Sequence, residues 1–78
     1  MDKRDPKHQK RITKIGEKLR HLRIKAGYIS YEDFAHDHNL PRVQYWRMEK
    51  GTNFRVTTLL VILEKHKLPL KQFFKDID

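Results

Sequence analysis

The chain has 78 residues and no cysteine, and its formal net charge is +8 with a sequence pI of about 10.0. This length allows one small core and leaves little room for a deep substrate pocket, while the lack of cysteine excludes a disulfide framework and thiolate metal sites. The longest aliphatic run, residues 59–63, is far shorter than the ~20 residues of a membrane span, so we expect a cytoplasmic protein that does not enter membranes.

Positive charge is concentrated near the N-terminus, where residues 1–25 hold ten Lys or Arg and three acids. We therefore divide the chain into a basic N-terminal arm, residues 1–11, and a domain, residues 12–78. A basic arm can follow a polyanion such as nucleic acid. It can equally be a solvated tail, and the sequence leaves both readings open.

The first predicted helix follows the arm. Ile12, Ile15, Leu19 and Leu22 recur at spacings of three and four, which is typical of a helix with one apolar face. Gly27 is expected to end this helix, because glycine readily adopts the left-handed conformation found at helix ends.

The second predicted helix is short and is joined to the third by a tight turn. Ser30 has the residue type of an N-cap, and an acidic residue stands three positions after it. The helix then covers residues 31–38 and buries Phe34 and Ala35. Asn39 is expected in the turn, because asparagine tolerates positive φ.

The third predicted helix runs over residues 41–50, with a proline at its first position and Gly51 at its end. At ~100° of rotation per residue, Tyr45 and Met48 share one face and are expected to point inward. The opposite face is expected to point outward and carries Arg42, Val43 and Trp46, with Arg47 beside them. In the reverse orientation Trp46 would be buried together with an arginine, at a high desolvation cost.

Two further helices complete the expected fold. Thr57 or Thr58 is expected to cap a fourth helix with an apolar face, and Pro69 is expected to open a fifth. The apolar positions of the fifth helix are Leu70, Phe73, Phe74 and Ile77. No segment has the pattern of a strand, so the predicted fold class is all-α, a compact five-helix bundle.

Three stretches of this sequence resemble the lambda-repressor-like, or Xre-type, helix-turn-helix domains of transcription regulators. They are "IGEKLRHLRIKAGYISYEDFA", "NLPRVQYWRMEKG" and "TTLLVILEKHKLPLKQFF", and the span from Ile15 to Phe74 that contains them is about three quarters of the chain. The Ser-Tyr-Glu-x-Phe-Ala and Tyr-x-x-x-Glu-Lys-Gly stretches are similar to those of a subgroup of Bacteroidetes regulators. The resemblance implies that residues 12–78 form a DNA-binding domain and that the third helix enters the major groove.

The resemblance also implies roles for individual residues. Base edges would be read by Arg42, Val43 and Trp46. Phosphates would be contacted by Tyr31, Arg47, Lys50, Thr52, Asn53 and Arg55; the family usually has glutamine where Tyr31 stands, but a phenol can still donate to a phosphate. Arg23 and Glu49 match the positions of a salt bridge between the first and third helices.

Enzyme chemistry and metal binding have little support in the sequence. His36 and His38 are two residues apart and therefore do not share a helix face. No nucleophile stands at a suggestive spacing from a base, and no glycine loop could cradle a phosphate. We expect a protein without enzymatic activity, cofactor or metal.

Two functions therefore stay open. The first is a sequence-specific transcription regulator that binds double-stranded DNA, as a homodimer on two-fold sites. The alternative is an antitoxin or protein-interaction module on a helix-turn-helix scaffold, whose main partner would be another protein.

Overall fold

Five α-helices and one short 3-10 helix form the fold, in a computed structural model that describes residues 5–77. The α-helices are α1 (Pro6–Lys25), α2 (Tyr31–Asp37), α3 (Arg42–Glu49), α4 (Val56–Lys65) and α5 (Leu70–Phe73), and the 3-10 helix is Phe74–Asp76. No strand occurs within residues 5–77. The Cα radius of gyration is 12.3 Å, against about 11.5 Å for a compact chain of this length. The predicted all-α fold and compact five-helix bundle are confirmed.

The first helix begins earlier than the apolar pattern indicates. Pro6 is its first residue, and the Asp5 side chain caps it by accepting a hydrogen bond from the backbone N–H of Lys7 at 2.8 Å. The described part of the predicted arm, residues 5–11, is therefore mostly helical. Apolar periodicity could not indicate this, because residues 6–11 supply no side chain to the buried core.

Four helices end in the same way, with a left-handed residue just after the last turn. These residues are Gly27, Asn39, Gly51 and Lys67, with φ between 54° and 99°. In each case the next N–H donates to a carbonyl five residues earlier, as in the bond from Leu40 N to Ala35 O at 2.8 Å. This is the Schellman arrangement, which satisfies the last carbonyls of a helix. A helix end or turn was predicted at Gly27, Asn39 and Gly51 but not at Lys67.

The starts of α3 and α4 differ from the sequence prediction. Pro41 is the N-cap of α3 and not its first residue, a shift of one position. The prediction that Thr57 or Thr58 caps α4 is wrong, because the helix begins at Val56 and the cap residue is Arg55. Arg55 ends the extended segment after α3, so both threonines already lie in the first turn.

The core lies between α1, α2, α3 and α4 and is closed by α5. Its buried side chains are Leu19, Phe34, Ala35, Tyr45, Met48, Leu59, Ile62, Leu63 and Phe73. The C-terminal end is tied to α1, because the Lys18 ammonium donates to the Phe73 carbonyl and lies 5.4 Å from the centre of the Phe73 ring.

Helices α1 and α3 approach each other closely at Gly16. A Cβ atom at this position would lie 2.4 Å from the carbonyl oxygen of Met48 and 2.7 Å from that of Glu49. Only a residue without a side chain fits this contact. No sequence pattern marks Gly16 as a site of close helix contact.

Phe34 lies at the centre of an aromatic cluster. The His66 ring stacks on it at 5.2 Å and 11°, and the His38 ring lies 4.5 Å from it. Tyr28 packs edge-on against Phe34 and donates a hydrogen bond to Asp37 at 2.8 Å. The Nε2 atom of His66 is buried without a hydrogen-bond partner in the described part of the chain.

This cluster makes the stability of the fold dependent on pH. Burial, and secondarily the neighbouring His38, lower the pKa of His66 below its ordinary value of 6.5. The folded state therefore takes up this proton at lower pH than the unfolded state does, so the contribution of His66 to stability is full above about pH 6.5 and is lost as the pH falls through the folded-state pKa.

We expect the midpoint of urea unfolding to fall between about pH 7.5 and about pH 5, and to fall less in His66→Gln, which cannot titrate. His21→Gln, which removes an exposed histidine from α1, is the matched control and should keep the pH dependence of the parent. An equal fall in His66→Gln and the parent would contradict the assignment.

Candidate nucleic-acid interface

The orientation of α3 is fixed by a buried ion pair with α1. Arg23 Nε donates to Glu49 Oε2 at 2.7 Å, and Arg23 Nη2 donates to Glu49 Oε1 at 3.1 Å. The two side chains are only 6% and 5% exposed. The salt bridge that the resemblance implied is therefore present, and it is bidentate.

Arg23 also holds the loop between α1 and α2. Its Nη1 donates to the carbonyls of Tyr28 at 2.8 Å and Ile29 at 2.6 Å. The hydrogen bonds to Glu49 raise the pKa of Arg23 against the opposing effect of burial, so the guanidinium stays charged. One side chain thus joins α1, the following loop and the end of α3.

Tyr45 and Met48 form the inward face of α3, as predicted, and are almost fully buried. Burial, followed by the adjacent Glu49 carboxylate, raises the pKa of the Tyr45 phenol, which stays protonated. Its hydroxyl has no hydrogen bond of good geometry within residues 5–77. The phenol therefore acts mainly by packing.

The opposite face of α3 points to solvent. Trp46 is 39% exposed and Val43 is 50% exposed, whereas Tyr45 is 1% exposed. The Arg42 side chain is 63% exposed. These values exclude the reverse orientation of the helix, in which Trp46 would be a core residue.

Trp46 lies between an aromatic and a basic side chain. Its ring centre is 6.3 Å from that of Tyr31, at an angle of 45°, and the Lys50 ammonium lies 5.7 Å from the ring. Tyr31 and Lys50, two of the predicted phosphate contacts, are thus both placed beside Trp46, one of the predicted base-reading residues. An indole with one open face and two neighbours of this kind can pack against a sugar or a base edge.

Because Trp46 is the only tryptophan, its fluorescence reports on this face alone. We expect the emission of the folded protein to be that of a partly hydrated indole, close to that of the guanidinium-unfolded chain, which serves as the reference. Binding of a duplex should shift the emission to shorter wavelength, because the ring would lose water. Strongly blue-shifted emission that does not respond to DNA would contradict the outward placement.

Most of the predicted phosphate contacts lie together at the C-terminal end of α3. A shallow cavity of about 230 Å³ is bordered by Arg47, Thr52, Asn53 and Arg55, and also by Gln44, Met48, Phe54 and Thr58. The backbone is held by the bond from Thr52 N to Arg47 O at 3.0 Å. Gln44 and Thr58 were not predicted, although helical spacing places Gln44 one turn before Arg47 and Met48.

The N-terminal half of α1 supports this end of α3. Gln9 Nε2 donates to the carbonyl of Gly51 and to the Thr13 hydroxyl, both at 3.0 Å. A Cβ at Gly51 would lie 3.3 Å from Thr13 Cα, so the two backbones are in close contact. The first turns of α1 are therefore held against the end of α3.

A metal cluster and a membrane span are both absent from residues 5–77. These residues contain no group of three His, Cys, Asp or Glu that could hold a metal ion. None of their helices is long and apolar enough to cross a membrane.

Comparisons of the chain with family models, curated proteins and solved structures gave no match. The interpretation of the interface therefore depends on its own geometry and charge.

Proposed function

We propose that this protein is a sequence-specific DNA-binding transcription regulator without enzymatic activity, which places α3 in the major groove of double-stranded DNA. The observation that carries the proposal is the two-sided character of α3. One side is locked to α1 by the buried pair of Arg23 and Glu49. The other side presents Arg42 and Trp46 to solvent.

The charge of this region supports a polyanion as the partner. Residues 41–55 contain four cations and one acid, Glu49. Because Arg23 neutralises that acid in the interior, the charged side chains that this segment exposes are all cations. Phosphates attract such a surface whatever the base sequence.

The arrangement also separates two kinds of contact. Arg42 stands at the first turn of α3, where recognition helices contact base edges, and its fork of N–H donors matches the acceptors of guanine. Arg47, Thr52, Asn53 and Arg55 border the cavity at the other end, where they can hold phosphates. In this proposal the first group gives specificity and the second fixes the register.

Arg42→Ala and Arg55→Ala form a matched pair that tests this division. We expect Arg42→Ala to cost about 1–3 kcal/mol of binding free energy at one base pair and to relax the preference there. Arg55→Ala should weaken binding to all sequences alike, since a phosphate contact carries no base information. Competition binding with single-base variants of the site measures both effects; uniform weakening in Arg42→Ala would contradict its role.

The function itself is tested by selecting bound sequences from random duplex DNA and then measuring the dissociation constant of the selected duplex at several salt concentrations. We expect a defined motif. We also expect the logarithm of the association constant to fall linearly with the logarithm of the salt concentration, at a slope of about 0.9 per phosphate contact. No enriched motif, or binding that ignores salt, would contradict the proposal.

We also propose that the protein binds two-fold sites as a homodimer. The four apolar positions predicted for the fifth helix are candidates for the contact between two copies. Phe73 is buried in the domain's own core and Ile77 packs against it, whereas Leu70 and Phe74 stay exposed. The available contact is thus smaller than the four residues that periodicity indicates. Selected sites with a single asymmetric half-site would argue against a dimer on DNA.

A protein-interaction module or antitoxin is the second candidate, because apolar side chains are exposed on α4 and α5. Val56, Val61 and Leu70 are each more than two-fifths exposed. These residues could cover a protein partner with or without DNA binding. If no duplex is selected, this reading is favoured.

A further inference from the structure

The N-terminal end of α3 has an acidic neighbour that the proposed function does not use. Arg42 Nη1 lies 3.5 Å from Oε2 of Glu32, a residue in the first turn of α2. Between His38 and Leu63 the only acid is Glu49, and it is buried against Arg23. A second helix thus brings a carboxylate beside the arginine that is best placed to contact a base.

This ion pair contributes little to the stability of the fold. The side chains of Arg42 and Glu32 are 63% and 55% exposed, and exposed pairs are weakened by solvent and salt. The buried pair of Arg23 and Glu49 already holds α3. Glu32 also lies in the first turn of α2, where a carboxylate interacts favourably with the helix dipole, and its contact with Arg42 adds an effect at the surface.

The backbone that carries Glu32 is well placed because the start of α2 is capped. Ser30 caps α2, and its Oγ accepts hydrogen bonds from the N–H of Glu32 at 3.1 Å and of Asp33 at 3.3 Å. Of the Arg42 guanidinium, Nη1 faces the carboxylate at 3.5 Å. The remaining N–H donors can still form a fork to a base, and pairing reduces the number of rotamers that Arg42 must give up on binding.

The negative charge of Glu32 also disfavours a contact between Arg42 and a DNA phosphate. A phosphate that approached Arg42 would come close to the carboxylate, and the two like charges repel. The N7 and O6 acceptors of guanine carry no net charge, so this repulsion opposes capture by the backbone more than it opposes a base contact.

We propose that Glu32 is a specificity-determining residue, which orients Arg42 towards a base edge and disfavours its capture by phosphate. This inference rests on the proposed function. It adds a residue of α2 to a recognition surface that otherwise consists of α3, the segment after it and Tyr31.

The test is a double-substitution cycle with Glu32→Gln, Arg42→Ala and the double variant. Their dissociation constants are measured for the selected duplex, for its variant at the base pair that depends on Arg42, and for an unrelated duplex, at one salt concentration. Glu64→Gln removes the same charge from an exposed position on α4, in a groove with Leu68 and Leu70, and is the matched control. Thermal unfolding shows that each variant folds.

Glu32→Gln should tighten binding to the unrelated duplex and reduce discrimination at the Arg42-dependent base pair, each by roughly fivefold, the scale of one exposed charge interaction. In the Arg42→Ala background it should leave that discrimination unchanged, and Glu64→Gln should leave it at the parent value.

Three results would overturn the role of Glu32 while leaving the proposed function intact. The first is unchanged base-pair discrimination in Glu32→Gln, and the second is an equal loss of discrimination in Glu64→Gln. The third is a change of discrimination at a different base pair that persists without Arg42, which would mean that Glu32 reads a base itself. If the parent protein prefers no duplex, the proposed function fails and this inference fails with it.

Discussion

Gly16→Ala is expected to destabilise the protein by about 3 kcal/mol or more, at the upper end of overpacking costs in a close-packed core. Its added methyl group would meet two carbonyl oxygens of α3 at 2.4 and 2.7 Å. These are backbone atoms, so relief requires α1 and α3 to move apart. Alanine gains about 1 kcal/mol in helix propensity over glycine, which is too little to offset the clash.

Thermal unfolding provides the measurement for Gly16→Ala. For a domain of this size a change of 1 kcal/mol shifts Tm by about 4–8 °C. We therefore expect the Tm of Gly16→Ala to lie more than about 10 °C below that of the parent. Lys14→Ala, an alanine substitution at an exposed position of the same helix, is the control and should leave Tm nearly unchanged. A Tm for Gly16→Ala equal to or above that of the parent would show that the two helices are not in this close contact.

Glu49→Ala is expected to cost about 3–5 kcal/mol, because it leaves the Arg23 guanidinium charged and buried without its counterion. The two backbone carbonyls of Tyr28 and Ile29 would still accept from Arg23, but they carry no full charge. The loss should also loosen α3, since this pair links its last turn to α1.

Urea unfolding of Glu49→Ala measures the cost, and Glu17→Ala is the matched control. Glu17 is an exposed glutamate on α1, and its removal should change the free energy of unfolding by no more than about 0.5 kcal/mol. If both substitutions had the same small effect, the pair would have to be solvated and could not be the element that holds α3.

Sequence patterns were sufficient for much of the fold because they report on local chemistry. Glycine and asparagine marked the left-handed helix ends at Gly27, Asn39 and Gly51. Lys67 takes the same conformation although lysine does not favour it. The N–H of the next residue, Leu68, donates to the Leu63 carbonyl at 3.0 Å. The early start of α1 was missed because its first turns are capped by Asp5 and carry no core residue.

Helical periodicity was also sufficient to orient α3. It correctly separated the buried Tyr45 and Met48 from the exposed Trp46 and Val43. It could not reveal Glu32 or Gly16, because their roles arise from contacts with another helix at separations of ten residues or more. Such contacts depend on how two helices cross, and the periodicity of one helix does not determine the crossing.

The two faces of α3 are almost independent of each other. Its contribution to the core comes from Tyr45, Met48 and the paired Glu49, whereas Arg42, Val43, Gln44, Trp46, Arg47 and Lys50 are all exposed. Substitutions at these exposed positions should change the free energy of unfolding by only about 0.5 kcal/mol each. The outer face can therefore diverge between related proteins, or be redesigned, while the scaffold that presents it remains the same.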